Sequence, residues 1–405
     1  MRTKMLVSFC LLSIAAGAQY KNDNVLFKTV DPQDLCAALQ KNNGYLILDV
    51  RSKGEYDDTS ATRMNIGHLN KALNINVQEL GTRLNEIKAY KDRPVFVYCN
   101  HSQRSRRASK MLADSGFAKV YNINGGMTSL YYTNAKEKDC LQSMIVSNNK
   151  YAIISPNDLC KKLSEKSKDV FVLDVRSDSA FRHITTDAKV NAYGYVRGAA
   201  NIPLVDLEKK LSSIPRNKEI IVTDLSGMDA AKAGKLLTEK GYEKVSVLIE
   251  GIDRWLIEDE SNICGNKLYL SPVDYTLMSS SGFGRFAQNN KDYLLLDVRT
   301  KEDFNNQNKN SWRNIGHLKN ALNIPAAEIN NRITEIDNFK KKPIIIYSFS
   351  GDADTYRVAN TLRQNGFKNV NVLVGGLFDI RWTAANMNGQ SYLKDFVTDI
   401  PADNL

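Results

Sequence analysis

At 405 residues, with 42% hydrophobic and 25% charged residues, the chain has the composition of a globular protein long enough for two to four domains. Its formal charge of +10 comes from Lys and Arg spread along the chain, which describes a solvated basic surface attractive to small anions and argues against a nucleic-acid binder. Beyond the N-terminus no apolar stretch reaches the ~20 residues needed to cross a membrane.

The N-terminus reads as a targeting segment. Arg2 and Lys4 precede an almost wholly apolar run over 5–16, and Ala16-Gly17-Ala18 supplies the small residues of a cleavage site. Residues 1–18 are therefore expected to be a secretory signal peptide cut before Gln19, too short to leave a stable membrane anchor. The mature protein is then exported, periplasmic or extracellular. Removing Cys10 leaves Cys36, Cys99, Cys140, Cys160 and Cys264, an odd count that suggests two bridges and one free thiol in an oxidising compartment.

From there the chain repeats itself three times. Asp31-Pro32, Ser155-Pro156 and Ser271-Pro272 each predict a helix start, with a capping residue ahead of Pro at the first helical position. Apolar strands LILDVRS (46–52), FVLDVRS (171–177) and LLLDVRT (294–300) follow, then polar stretches over 52–66, 177–193 and 300–315, most simply surface insertions, with a lid or an interface as the other reading. Turns NIGHLNKALNI, YGYVRGAANIP and NIGHLKNALNIP lead to second strands beginning at Val95, Glu219 and Pro343. Each of these runs into a loop, a helical stretch ending at Gly116, Gly241 or Gly366, a third strand, and closing glycines at Gly125-Gly126, Gly251 and Gly375-Gly376. Continuous Val, Ile and Leu strands are buried on both faces, so each unit is expected to be an α/β domain with a small parallel sheet flanked by helices. The expected domains are 19–147, 148–266 and 267–405.

Three copies separate architecture from chemistry. Asp49, Arg51 and Gly67 recur as Asp174, Arg176 and Gly194, and as Asp297, Arg299 and Gly316, while His68 recurs as His317; these read as scaffold. The copies part in the loop after the second strand. The first has Cys99-Asn100-His101-Ser102-Gln103-Arg104 followed by Ser105, whereas Asp224 and Asp229 replace thiol and arginine in the second, and Ser348 with Asp352 and Asp354 occupy the third. A short loop between a buried strand and a helix N-terminus turns backbone N–H groups inward and stabilises an anion. Cys99 placed there should have its pKa lowered below the free value of about 8.5, and Arg104 offers a bidentate grip on an oxyanion.

The DVR strand ends, the GHL…ALNI turns, the Cys-x4-Arg-Ser loop and the closing glycines resemble the rhodanese (thiosulfate sulfurtransferase) family, in three tandem domains of which only the first has an intact loop. The resemblance implies that Cys99 is a sulfur-carrying nucleophile working with Arg104. It also implies that the loop amides of Asn100, His101, Ser102, Gln103 and Ser105 hold a persulfide. Neither a metal nor an organic cofactor is implied. The donor is expected to be a small sulfur-containing anion such as thiosulfate, and the acceptor a thiol or a cyanide-like nucleophile. Related phosphatases and arsenate reductases carry one more loop residue, so the Cys-x4-Arg spacing resembles the sulfur-handling members. The alternative reading is a non-catalytic scaffold whose degenerate second and third domains bind a protein. Because Cys36 and Cys160 occupy matching places, as do Cys140 and Cys264, and the third repeat has Thr276 at the first of these places and no cysteine at the second, bridges Cys36–Cys140 and Cys160–Cys264 are expected, with small buried thiols as the other reading.

Overall fold

The computed structural model describes residues 26–133, 135–257, 268–387 and 389–401. The expected signal peptide over 1–18 and Cys10 lie outside the described residues, as does Cys264. Among the described residues no helix is long and apolar enough to cross a membrane.

Each repeat is built on a five-stranded parallel sheet of identical strand order. In the first, Lys28–Val30, Lys119–Ile123, Pro94–Tyr98, Leu46–Asp49 and Leu73–Asn74 lie side by side. The second aligns Ala152–Ile154, Val245–Leu248, Glu219–Thr223, Val170–Asp174 and Ala200–Asn201. The third aligns Thr276–Met278, Asn369–Leu373, Pro343–Tyr347, Leu294–Asp297 and Leu322–Asn323. Three strands per sheet are long apolar runs. The two outer strands, of two or three residues, lack enough alternation to be read from sequence.

Helices cover both faces, so each repeat has two apolar cores, and some cross between repeats. Ile249 of the second repeat sits in a core of the first. Ala192, Tyr193 and Ile252 of the second join Leu296, Ile346 and Tyr356 of the third. The polar stretches after the DVR strands of the first and second repeats are therefore interfaces as much as insertions. Helix Ala188–Ala192 lies against helix Ala353–Gln364, and Arg63 Nη1 donates to the Ser226 carbonyl at 3.2 Å. A short antiparallel ribbon closes each repeat, pairing His68–Leu69 with Ile145–Val146, Tyr195–Val196 with Tyr269–Leu270, and His317–Leu318 with Val397–Thr398.

Helices Pro32–Lys41 and Pro156–Lys166 begin at the expected prolines, the second with a full capping box between Ser155 and Asp158. The third does not begin at Ser271-Pro272. Leu270 is held in the ribbon of the second repeat, strand Thr276–Met278 comes next, and Ser279 caps helix Ser280–Asn289 through its hydroxyl. Thr276 is thus a strand residue, and the helical place of Cys36 and Cys160 falls instead on Gly284, where a Cβ would meet the Tyr392 hydroxyl at 2.4 Å. The expected Cys36–Cys140 bridge is present and joins helix Pro32–Lys41 to helix Ala135–Met144. Cys160 is also disulfide-bonded.

Candidate active site

Strand Pro94–Tyr98 ends at the carboxyl edge of the sheet, and Cys99 is the next residue, followed by helix Gln103–Asp114. Ligands of open α/β sheets bind at this edge. The loop is held from behind by the closing turn: Met127 and Thr128 donate backbone N–H groups to the carbonyls of Cys99 and Asn100 at 2.8 and 3.2 Å. Gly126 permits that approach, since a Cβ there would lie 2.2 Å from the Cys99 carbonyl oxygen. Ser102 takes a left-handed conformation at φ +66°, and its hydroxyl accepts the Gly125 N–H at 2.6 Å.

Cys99 is 1% exposed and is the free thiol among the described residues. Ser105 attends its sulfur twice: the backbone N–H donates to Sγ at 3.4 Å, and the thiol lies 3.5 Å from the Ser105 hydroxyl. That hydroxyl is fixed in turn by Asn122 Oδ1 at 2.6 Å. The Asn100 and Ser102 side chains turn away into the scaffold, and Gln103 is exposed at the rim.

Arg104, expected to face an anion, spends both terminal nitrogens on Glu55 at 2.6 and 2.7 Å. Burial would raise the Glu55 carboxyl, but the Arg104 hydrogen bonds and charge, with Ser52 behind them, hold it down at about 2. From Glu55 the network runs on through Asn100, which donates to Oε1 at 3.0 Å and accepts from Arg51 Nη1 at 3.1 Å, to the buried Asp49–Arg51 pair. Sequence reasoning missed Glu55, although Ser52-x-x-Glu55 is a legible capping box, present in full.

The shared residues behave as scaffold. Asp174–Arg176 and Asp297–Arg299 repeat the 2.6 Å pair, and each arginine also donates to the matching glycine carbonyl. What they lack is the link to the loop: with Leu225 and Phe349 in place of Asn100, Nη1 of Arg176 and of Arg299 has no hydrogen-bond partner among the described residues. His68 and His317 both stack on an aromatic ring, Tyr56 and Phe304, at 4.0 and 4.2 Å.

The degenerate loops fill their own cradles. In the second repeat the Asp224 carboxylate accepts the N–H groups of Gly227 and Asp229 at 2.5 and 2.9 Å. Burial nevertheless raises its pKa. In the third, Ser348 Oγ accepts Gly351 N, Asp352 N and the Thr355 hydroxyl. Asp229 and Asp354 do not enter these pockets as their positions suggest: both carboxylates pair with neighbours on the exposed helix face, Lys232 and Arg357.

The other repeats reach the Cys99 loop directly. Glu250 Oε1 of the second lies 2.5 Å from His101 Nε2, and Trp382 Nε1 of the third donates to the His101 carbonyl at 3.3 Å. Arg106 Nη2 donates to the Ala385 carbonyl at 2.6 Å. Between them opens a cleft of about 1010 Å³ lined by residues of all three repeats, His101 and Gln103 among them. No local pattern foretells contacts across more than a hundred residues; the one available signal was the missing first glycine before Gly251.

A buried cysteine at the end of a central parallel strand, with a short loop leading into a helix N-terminus, defines an α/β domain suited to thiol chemistry on an anion. The chain belongs to the Rhodanese family (Rhodanese-like domain), which matches residues 31–132, 155–258 and 285–382, one match per repeat. It is 32% identical over 122 residues to the uncharacterized protein YqhL of Bacillus subtilis, covering 30% of this chain and 86% of that one. It is 30% identical over 97 residues to the thiosulfate sulfurtransferase GlpE of Shewanella oneidensis, covering 24% of this chain and 94% of that one. A tRNA uridine(34) hydroxylase of Onion yellows phytoplasma is 33% identical over 102 residues; the match covers 24% of this chain but only 30% of the hydroxylase.

Proposed function

We propose that this protein is an exported sulfurtransferase with one working site per chain, at Cys99, and two repeats that build the walls around it. The observation that carries the reading is the loop itself: Cys99 Sγ sits against the Ser105 N–H at the helix N-terminus, whereas Asp224 and Ser348 occupy the equivalent cradles with groups unsuited to accept sulfur. The Cys36–Cys140 disulfide supports an oxidising compartment and hence export.

In the first half-reaction the Cys99 thiolate attacks the outer sulfur of thiosulfate. The Sγ–S bond forms, the donor S–S bond breaks, and sulfite leaves with the electron pair. In the second, cyanide or a thiolate attacks that outer sulfur. The Sγ–S bond breaks, its electron pair returns to Cys99, and thiocyanate or a persulfide departs. The loop amides stabilise the terminal anion between the two steps.

The test is the mass of the Cys99 peptide after incubating the protein with thiosulfate. A gain of one sulfur is expected, lost on adding cyanide and absent in Cys99→Ser. A Cys99 peptide unchanged in mass with every sulfane donor tried would point to the binding-protein reading instead.

A further inference from the structure

The second repeat has Asp224 where the first has Cys99, yet one of its side chains is built into the first repeat's loop. At the closing turn the first and third repeats use Gly125 (φ +67°) and Gly375 (φ +79°), and the second uses Glu250 at φ +53°. That left-handed region is disfavoured for a residue with a Cβ, and such outliers persist where the surroundings hold them. The Glu250 side chain is 3% exposed, 2.5 Å from His101 Nε2 and 3.1 Å from the Thr128 hydroxyl, both in the first repeat. Burial alone would raise its carboxyl, but His101, then Arg254 and Arg63, bring it down to about 2. An ionised carboxylate only accepts, so Nε2 carries the hydrogen.

The backbone of the same histidine is held from the opposite side. Trp382 of the third repeat donates to its carbonyl, and the Arg254 guanidinium lies 5.0 Å from the Trp382 ring centroid and 3.9 Å from Glu250. His101 is therefore fixed where three repeats meet, at the wall of the 1010 Å³ cleft. That volume is at the top of the ~300–1,000 Å³ range of small-molecule sites, far more than cyanide or thiosulfate fills. Its lining carries five cations, Arg63, Arg106, Lys189, Arg254 and Arg381, against three carboxylates, Glu250, Asp253 and Asp379. Lys189 is paired with Asp253 at 3.4 Å and Arg254 lies 3.9 Å from Glu250, and the balance remains positive, which suits a ligand bearing carboxylates.

We infer that Glu250 is a positioning residue of the sulfur-transfer site: by fixing His101 beside the Cys99 loop it shapes the three-repeat cleft to admit an organic thiol bearing carboxylates as sulfur acceptor. The inference rests on the sulfurtransferase reading. In the step concerned the acceptor thiol gives its proton to solvent, and its thiolate attacks the outer sulfur of the Cys99 persulfide. The new S–S bond forms as the Sγ–S bond breaks, leaving the electron pair on Cys99.

The experiment compares glutathione with cyanide as acceptors from the thiosulfate-loaded full chain. Glu250→Gly restores the glycine of the other repeats and relieves the turn, so it should fold. It is expected to lower kcat/KM for glutathione about 10-fold and for cyanide no more than about 2-fold. Glu250→Gln, which keeps an acceptor for Nε2–H, should recover most of the loss. His101→Phe should reproduce the selective loss and add little in the Glu250→Gly background, which guards against a folding defect in either variant. Equal losses for both acceptors, additive losses in the double variant, or no loss with glutathione would overturn the inference while leaving sulfur transfer standing. A wild-type Cys99 that takes up no sulfur would overturn the sulfur-transfer reading and this inference with it.

Discussion

Glu55 and Arg104 form a bidentate pair beside the sulfur loop, and the carboxyl is held near 2 despite its burial. A glutamate whose folded pKa lies below its free value of about 4.3 contributes stability that is fully present above that value and lost as pH falls through the folded one. Wild-type protein should therefore be more stable than Glu55→Gln at pH 7, by about 1–3 kcal/mol, since the variant leaves Arg104 without its charge partner. The gap should close between about pH 4.5 and 2, read as urea midpoints of the two proteins at matched pH. Glu250 titrates in the same window but is present in both, so it cancels. At this scale the sequence was legible unevenly. Cys99 stood out because two sister repeats lack it. Arg104 stood out by its spacing from Cys99, but its partner did not, because a guanidinium near an anion pocket says nothing of a carboxylate 49 residues earlier.

Among elements, the long buried strands and the two proline-started helices were readable because burial on both faces leaves an unbroken apolar run. The misplaced helix start at Ser271-Pro272 shows why local capping signals need context: the ribbon to Tyr195–Val196 claims Tyr269–Leu270 and leaves no room for a helix directly behind it. The pairing of Cys36 with Cys140 was legible from co-occurrence between repeats, a signal independent of propensity. That bridge spans 104 residues and fastens the first helix of the repeat to the last. A Cys36→Ser/Cys140→Ser variant should lose about 2–4 kcal/mol in equilibrium urea unfolding, chiefly because the unlinked chain regains conformational entropy.

In the whole molecule the repeats are not beads on a string. Tyr356 of the third repeat is fully buried, its ring 5.8 Å from that of Tyr193 in the second, and its hydroxyl donates to Tyr193 at 3.2 Å. Tyr193 passes the contact on to Asp253 Oδ1 at 3.0 Å. Tyr356→Ala opens a cavity in a core shared by both repeats, at a cost of about 3–5 kcal/mol. Calorimetry should show the second and third repeats melting together in the wild type and separately in the variant. None of this was legible in the repeats taken singly, since each copy satisfies its own pattern and the shared surfaces lie on the stretches where the copies differ.

The carboxylate that Asp224 folds into its own loop has a meaning for the first repeat. On the sulfur-transfer reading it is an acceptor group, tied to the chain, in the place where the terminal sulfur of a loaded Cys99 would dwell. The second repeat is thus a standing cast of that occupied cradle, with Gly227 and Asp229 as the amides that close on it. Their counterparts by loop position are Ser102 and Arg104. By that correspondence it is the Arg104 N–H that would meet the loaded sulfur, while its side chain is held by Glu55.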